Sequence, residues 1–248
     1  MTNQGSKGSL HEATRSRAKF SGHGRAKGAA GERHRSNHSA NSTELNVPGQ
    51  SIAISPQDHA FESIDIGMSW DNVAVQNAGF FGKLLKKATK QGVDLDIGCL
   101  YELADGSRGC IQAFGEKFGD FDSAPYMRLS GDERTGDAEG YDETIRVNGP
   151  KWDQIKRVLV YVYIYQGAPN WAQINPQIML DVPGEDDLIV SVSAYDNALA
   201  LCAVGGLENV RGGIKLTNYT EYFPGHEEMD RAFGFGLEWG DGTGRKAP

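Results

Sequence analysis

From residue 48 onward, short apolar stretches alternate with turn residues along the chain. Residues 51–55 alternate apolar and polar side chains, and Ile64, Ile66 and Met68 share one face of the next stretch. Strands that recur about every eight to twelve residues, without long helices between them, are typical of a β-sandwich or a barrel. We therefore expect an all-β fold, a two-sheet β-sandwich, with strands near 51–55, 61–70, 95–103, 109–114, 157–165, 177–182, 188–195, 199–204 and 213–222.

Two sequence features also predict how particular strands are buried or paired. Residues 157–165 (RVLVYVYIY) hold β-branched and aromatic residues without polar alternation, which predicts a central strand that is buried on both faces. Ala104-Asp105-Gly106 separates two strand-like stretches, and an Asp-Gly pair in that position is a strong hairpin signal. We expect the stretches on its two sides to pair as antiparallel strands.

One segment breaks the strand pattern. Residues 79–91 (GFFGKLLKKATKQ) predict a short helical insertion, because their apolar residues recur at helical spacing beside four lysines. The apolar positions are Phe80, Phe81, Leu84, Leu85 and Ala88. Such a helix either packs on its own domain or lies at a surface through its basic face, and the pattern leaves both alternatives open.

The first 47 residues differ in composition from the rest. Their large apolar residues, Leu10, Phe20, Leu45 and Val47, are too few to offset the entropy cost of ordering. Residues 1–50 carry a net charge of +5, within a 248-residue chain of net charge −8. We expect a disordered basic tail over 1–47 and one folded domain over 48–248. The tail is either a solvated segment or a weak contact for nucleic acid or acidic lipid.

Cysteine usage and hydropathy bear on the compartment. Cys99, Cys110 and Cys202 match no zinc or redox spacing, and an odd number of cysteines without a disulfide framework fits a reducing compartment. No run of about 18 apolar residues predicts a transmembrane segment, and the N-terminal residues lack the apolar stretch of a secretory signal. We expect a cytoplasmic protein, with a peripheral position at the inner membrane face as the alternative.

The middle of the chain is strongly acidic. Residues 94–143 contain 13 acidic and four basic residues, with clusters at Asp94-Leu95-Asp96 and in the glycine-rich stretch 131–143. Crowded carboxylates repel one another unless a cation neutralises them, and Ca²⁺ accepts about six to eight oxygen ligands in flexible geometry. Mg²⁺ fits less well, Zn²⁺ would need nearby Cys or His, and an EF-hand would need Gly where Asp137 stands. The composition leaves two interpretations open, a calcium site and an acidic solvated loop.

Several motifs, in this order, resemble the tellurite-resistance TerD/TerA family. Residues 131–145 (GDERTGDAEGYDETI) resemble the family signature, in which GDN-x-TG is followed by alternating Gly and acid and then by DDE. Asp94-Leu95-Asp96 resembles the family's DLDAS stretch, Met68-Ser69-Trp70-Asp71 resembles its G-W-D segment, and residues 171–174 (WAQI) fall where it has an FGQV-like stretch. The resemblance covers about residues 48–240. The stretches GFFGKLL and FPGHEEMDRAFGFGLEWGDG are closer to the TerA branch.

This resemblance implies a calcium-binding β-sandwich that serves tellurite resistance and stress responses. Carried over position by position, the implied calcium ligands are Asp94, Asp96, Asp132, Asp142 and Glu143, with Asp137 and Glu139 at further acidic positions of the loop. Two positions depart from the signature, because Glu133 replaces Asn and Tyr141 replaces the first Asp of DDE. The missing carboxylate at position 141 puts a second calcium ion in doubt.

The sequence contains no recognisable catalytic constellation. Ser130 and Ser193 lack a G-x-S-x-G context, and no phosphate-binding loop leads into a helix. His226, beside two glutamates, is expected to be a surface turn residue. We therefore expect a non-enzymatic module that binds or scaffolds other stress-response proteins of the same system. The alternative is a metal-dependent enzyme in which the acidic cluster holds a catalytic cation.

Overall fold

The computed structural model describes residues 42–56, 60–70, 94–130, 143–166, 171–192, 195–240 and 244–245. Over these residues the chain forms two β-sheets that pack face to face, with a few short helices. The inward side chains of both sheets are apolar and join in one buried cluster, as the hydrophobic effect requires. The all-β, two-sheet sandwich predicted from the apolar pattern is confirmed.

The larger sheet has seven strands. They are β1 (Ser42–Leu45), β3 (Ser63–Ser69), β6 (Gly119–Asp120), β7 (Met127–Leu129), β8 (Glu143–Asn148), β10 (Gln177–Asp181) and β11 (Asp187–Ser191). Their order is β1-β11-β10-β3-β8-β7-β6, and every pair is antiparallel except the parallel pair of β1 and β11. Ile64 and Ile66 are fully buried, whereas Asp65 between them is partly exposed. One face of this sheet therefore contacts the core and the other contacts solvent.

The smaller sheet has six strands. They are β2 (Ser51–Ile54), β4 (Asp94–Leu103), β5 (Arg108–Ile111), β9 (Ile155–Gln166), β12 (Leu201–Val210) and β13 (Gly213–Phe223), in the antiparallel order β2-β13-β12-β9-β4-β5. In β9, Val160 and Val162 point into the sandwich core, while Leu159 and Tyr161 pack in a second cluster on the other face. The prediction that this central strand is buried on both faces is confirmed. The predicted hairpin between β4 and β5 is also present, with Gly106 at a φ of 84°.

The remaining elements are short. The described residues also form two 3-10 helices (Phe114–Glu116 and Gly149–Gln154), two α-helices, α1 (Trp171–Ile174) and α2 (His226–Phe233), and a small hairpin of β14 (Glu238–Trp239) and β15 (Gly244–Arg245). Residues 226–239, which we call the C-terminal cover, lie on the outer face of the smaller sheet. Met229, Phe235 and Leu237 of the cover pack in the second cluster, against Leu100 and Leu159 of the sheet. The cover explains why this sheet is apolar on both faces.

The N-terminal boundary of the domain differs from the one expected at residue 48. Ser42–Leu45 were assigned to the tail, but they form β1 beside β11, and Leu45 is 1% exposed. The side-chain amide of Asn218 donates to the carbonyl oxygen of Leu45 at 2.8 Å. A short, mostly polar strand carries little local signal, because its order depends on a partner strand that is distant in sequence. The ordered part of this sheet therefore begins before residue 48.

Two other expectations fall on parts of the chain that the structure does not describe. The tail before residue 42 and the helical insertion predicted at 79–91 both lie outside the described residues. Among the residues that are described, none belongs to a helix long and apolar enough to cross a membrane.

Candidate functional site

The first acidic cluster lies at the start of β4. Leu95 and Ile97 point into the core between the sheets, so Asp96 points to the opposite face, where it lies beside Tyr163 of β9 in the strand register. Asp96 is only 3% exposed, which is uncommon for an aspartate. The strand therefore holds one of the predicted calcium ligands rigidly and almost out of solvent.

The last residue of the acidic stretch reaches this strand from the other sheet. Glu143 is the first residue of β8, points inward and is 1% exposed. Its Oε2 atom accepts a hydrogen bond of 2.7 Å from the backbone N–H of Ile97. The ladder between β4 and β5 extends only to Cys99, so the carboxylate binds an N–H beyond the end of that ladder. The side chain of Glu143 thus joins the two sheets at the acidic end of the sandwich.

The structure brings together only part of the predicted ligand set. The segment containing Asp94 and Asp96 lies next to Glu143, although the two are far apart in sequence. Nothing is described for the side chain of Asp94. The remaining predicted ligands, Asp132, Asp137, Glu139 and Asp142, lie outside the described residues. Within the described ranges, no three His, Cys, Asp or Glu side chains form a metal-binding group. The calcium site therefore stays a prediction.

The buried charge of Asp96 affects the neighbouring tyrosines of β9. Burial raises the pKa of Tyr163, and the nearby Asp96 carboxylate raises it further. Tyr161 has its pKa raised well above the usual value, mainly by burial, with smaller contributions from Cys110, Cys99 and Asp96. The Tyr161 hydroxyl donates to Oε1 of the buried Gln112 at 2.6 Å. Both tyrosines are therefore neutral polar neighbours of the acidic end, because neither ionises in the physiological range.

His226 occupies a different environment from the surface turn expected for it. Its ring lies 5.1 Å from the Tyr161 ring and 5.7 Å from the Tyr163 ring, and it stacks on Trp239 at 5.3 Å between centroids. Its Nε2 atom is buried, with no hydrogen-bond partner in the described part of the chain. Burial lowers the pKa of His226 to about 4, so the imidazole is neutral at physiological pH. The expectation was wrong because these aromatic partners are contributed by β9 and by the cover.

The chain is related in sequence to a tellurium resistance protein. No protein-family model matches it. Over 184 residues, which is 74% of this chain, it is 38% identical to the tellurium resistance protein TerA of an Alcaligenes species. The chain belongs to the tellurite-resistance TerD/TerA family. It spans only 53% of the length of that curated relative.

Two solved structures show a weaker likeness. One is a protein of unknown function, with 17% identity and a TM-score of 0.47 over 73% of this chain and 100% of that chain. The other is a homologue of the telluride resistance protein TerD from Streptomyces coelicolor A3(2), with 17% identity and a TM-score of 0.45 over 68% of this chain and 95% of that one. These scores are too low to establish a common fold, and they add nothing to the relationship with TerA.

A further buried carboxylate, that of Glu102, is not indicated by the TerD/TerA motifs. Its side chain is 4% exposed and pairs with Lys156 at 2.9 Å, Arg157 at 2.7 Å and Arg108 at 3.3 Å. Burial alone would raise the pKa of Glu102, but the hydrogen bonds from Lys156 and Arg157, together with the charges of Arg157 and Arg108, lower it to about 2. Glu102 therefore stays ionised and serves as the shared anion of three cations.

The same arginines fix the C-terminal cover to the sheet. Arg157 donates to the carbonyl oxygens of Phe233 and Gly234 at 2.8 Å and 3.1 Å, and its guanidinium lies 4.1 Å from the Phe235 ring centroid. Within the cover, the Asp230 carboxylate accepts hydrogen bonds of 2.7 Å from the backbone of Gly236 and from Nε1 of Trp239. These contacts satisfy the carbonyls at the end of α2 and hold Trp239 over His226.

The thiols of this TerD/TerA relative are inaccessible. Cys99, Cys110 and Cys202 are all buried and unbridged. Burial raises the pKa of Cys99, with the neighbouring Cys110 adding to the effect, and burial likewise raises the pKa of Cys202. Reactive cysteines need an exposed, stabilised thiolate, so these residues fit structural roles in the core.

Proposed function

We propose that this chain is a calcium-binding module of a bacterial tellurium-resistance and stress-response system, acting by binding or scaffolding. The match to a protein named for tellurium resistance supports the system. The contact between Glu143 and Ile97 supports the calcium site, because it holds two acidic segments together at one end of the sandwich. This contact is the observation on which the proposal chiefly rests.

The chemistry of the site favours Ca²⁺ over other cations. Glu143 and the strand start that carries Asp94 and Asp96 come from two different sheets, so part of the site would be preorganised on rigid strands. The Asp96 side chain lies on the face of β4 opposite to Glu143, so its contribution to the same ion would need a rearrangement at the start of β4. The chain between β7 and β8 carries Asp132, Asp137 and Asp142, which would supply the remaining ligands. A bound cation would also neutralise carboxylates that are almost completely removed from water.

The burial of the cysteine thiols also favours a binding role over thiol-based catalysis. Tellurite is an oxidised anion, and its reduction by protein thiols would need accessible thiolates. All three cysteines of the chain are buried, so they do not offer such groups. A metal-dependent enzyme is the alternative, and it would require an open coordination position on the bound cation. We place the module in the cytoplasm with other proteins of the same system as its partners.

The proposal is tested by calorimetric titration of the metal-stripped chain with Ca²⁺. Asp96→Asn and Glu143→Gln each remove one charged oxygen while keeping the side-chain shape, so each should weaken binding by at least about tenfold. Asp122→Asn is the matched control, because this exposed aspartate follows β6 in a turn next to Phe121. Phe121 contacts Asn148, at the far end of β8 from Glu143. The control should bind Ca²⁺ like the wild type.

The melting temperature gives an independent measurement. A ligand that binds only the native state adds about 2.7 kcal/mol to the free energy of unfolding at a hundredfold excess over Kd. Calcium should therefore raise the melting temperature of the wild type, and less so that of the two site variants. If Ca²⁺ gives neither heat nor a melting shift with the stripped wild type, or if all four proteins bind equally, the calcium proposal is wrong.

A further inference from the structure

The smaller sheet ends in an edge strand that carries no charge. β2 is the outermost strand of this sheet, and among the described residues its only strand partner is β13. Residues 45–57 contain no charged side chain, although 23% of the whole chain is charged. Charged side chains are a common protection of exposed edge strands against pairing with another chain. β2 lacks this protection, so its outer edge is suited to accept a further strand.

The backbone groups that face this edge follow from the contacts on the inner side of β2. Gly49, at a φ of 87°, donates its N–H to the carbonyl oxygen of Asn218 at 2.8 Å, and the N–H of Asn218 donates to the carbonyl oxygen of Gln50 at 2.9 Å. The backbone polar groups of successive residues in a strand point alternately to its two sides. Because the Gln50 carbonyl points towards β13, the N–H and C=O groups of Ser51 and Ala53 point away from it.

The side chains along this edge are small or apolar. Ser51 and Ala53 are exposed, on the face of the smaller sheet that points away from the larger sheet. Ile52 packs against the core between the sheets but is only partly buried. Lys215, the register partner of Ala53, pairs with Glu208 at 3.2 Å. An incoming strand would therefore meet backbone hydrogen-bonding groups and an isoleucine, beside a lysine that already contacts a carboxylate.

We propose that β2 of a second copy of this chain pairs with this edge in antiparallel orientation, about a two-fold axis at Ile52. Within Ser51–Ile54, one antiparallel register pairs both outward-facing residues, with Ser51 of each copy opposite Ala53 of the other. Each of these pairs exchanges N–H···O=C bonds. The two Ile52 residues meet at the axis as a non-hydrogen-bonded pair, with Cα atoms about 4.5 Å apart and close side chains. The contact is isologous, because both copies offer the same strand.

A second copy fits this edge better than a charged segment does. An acidic or basic strand would bring ions beside the partly buried Ile52, whereas β2 brings only small and apolar side chains. Pro48 and Pro56 each lie four residues from Ile52, and proline offers no N–H to a sheet. The two prolines confine the pairing to the strand itself, so association stops at a closed dimer. The paired strands are short, so the dimer should be weak.

Sedimentation equilibrium of the full chain tests the proposal. In EDTA, which removes any influence of the proposed calcium site, the wild type should show a reversible monomer–dimer equilibrium. Its Kd should be on the order of 10–100 µM, as befits a contact smaller than a standard interface. No charged side chain takes part, so Kd should change by less than about threefold between about 50 and about 500 mM salt.

A proline substitution tests the backbone contact. Ala53→Pro removes an N–H that points away from β13, so it costs no hydrogen bond within the described chain and the variant should fold. The same change removes a donor from each Ser51–Ala53 pair of the dimer and should weaken association at least about tenfold. Ala53→Ser keeps the N–H and is the matched control, which should dimerise like the wild type. Circular dichroism checks that both variants are folded.

Cysteine cross-linking tests the register. Cα atoms about 4.5 Å apart lie within the range of roughly 4.4–6.8 Å that a disulfide spans, so Ile52→Cys should form a disulfide-linked dimer under mild oxidation. Ser51→Cys is the matched control, because its side chain is more exposed but faces Ala53 of the other copy. It should cross-link at least about tenfold more slowly on non-reducing electrophoresis. The three native cysteines are buried, and the wild type controls for them.

Three results would each overturn the proposal. They are a wild type that stays monomeric up to about 1 mM, a dimer that folded Ala53→Pro leaves intact, and cross-linking of Ser51→Cys as fast as that of Ile52→Cys. If Ala53→Pro does not fold, the concentration series and the two cysteine variants decide the question. An edge that instead serves an extended segment of another protein would leave the isolated chain monomeric, which is the first of these results.

Discussion

Glu143 accepts a hydrogen bond from the backbone N–H of Ile97 across the two sheets, at 2.7 Å and away from solvent. One side chain therefore supports the fold, by satisfying a buried donor, and also lies at the predicted calcium site. These two roles are separable by mutation because they use different properties of the carboxylate. The hydrogen bond needs an acceptor oxygen, whereas the cation needs a negative charge.

Glu143→Gln and Glu143→Leu should accordingly have different consequences. Glutamine keeps an acceptor for Ile97, so the free energy of unfolding without calcium should change little while calcium affinity falls. Leucine leaves the Ile97 N–H unsatisfied, which should cost about 1–3 kcal/mol of stability. Urea unfolding in EDTA measures both. Equal stability of the two variants would show that the hydrogen bond does not contribute.

Acid sensitivity should be traceable to Glu102. Its pKa is lowered to about 2 in the folded chain, whereas an unfolded chain has a glutamate pKa of about 4.3. The folded state therefore favours the ionised form. The resulting stability is fully present above the unfolded pKa and is lost as the pH falls from about 4.5 toward 2, by an amount on the order of 2–3 kcal/mol.

The measurement is the free energy of unfolding of wild type and Glu102→Gln as a function of pH. The variant should be less stable at pH 7, because three cations lose their shared anion. The difference in the free energy of unfolding between the two proteins should become smaller as the pH approaches 2. Glu62→Gln, an exposed residue before β3, is the control and should follow the wild type. A difference in the free energy of unfolding that does not change with pH would mean that Glu102 acts through packing alone.

His226 should cause a further loss of stability on acidification, in a pH window above that of Glu102. The unfolded chain takes up a proton near the usual histidine pKa of about 6.5, whereas the folded chain does so only near 4. Between these values the unfolded state binds more protons, so the free energy of unfolding falls as the pH decreases through this window. After allowance for partial exposure, the loss should be on the order of 2 kcal/mol.

His226→Phe should remove this dependence. Phenylalanine retains ring contacts with Tyr161 and Trp239 but does not titrate, so the variant should hold its stability between pH 6.5 and 4 while the wild type loses it. Tryptophan fluorescence during urea unfolding follows the transition. If the two proteins lose stability in parallel across this window, His226 is not the titrating group.

The environments of Glu102 and His226 show where sequence patterns stop being informative. Nine of the strands, the β4–β5 hairpin and the two-sided burial of β9 were predicted because each depends on local alternation or on a turn signal. The strands β1, β6, β7 and β8 were not predicted, although β8 carries Glu143. The roles of Glu102 and His226 were not, because their partners come from strands and a helix that are distant in sequence. The acidic segments were recognised from their composition. Their contact through Glu143 required the register of both sheets.

Gly98 and Tyr161 provide the most specific test of how the cover is positioned. The two residues are register partners on β4 and β9, and a Cβ atom at position 98 would lie well inside van der Waals contact with the Tyr161 ring. Gly98→Ala should therefore displace the ring, together with its contacts to Gln112 and His226, and reduce stability by about 1–3 kcal/mol.

A double-mutant cycle separates this steric effect from the intrinsic strand preference of alanine. Tyr161→Leu alone should destabilise the chain, since it removes a buried ring and leaves Gln112 without its hydroxyl partner. In that background Gly98→Ala meets no ring, so it should be neutral or slightly stabilising, because alanine loses less backbone entropy than glycine on folding. The coupling energy between the two positions should then be about 1–3 kcal/mol, a value typical of residues in direct contact. Additive effects would mean that the ring does not lie over Gly98, and the aromatic contact between the sheet and His226 would have to be reconsidered with it.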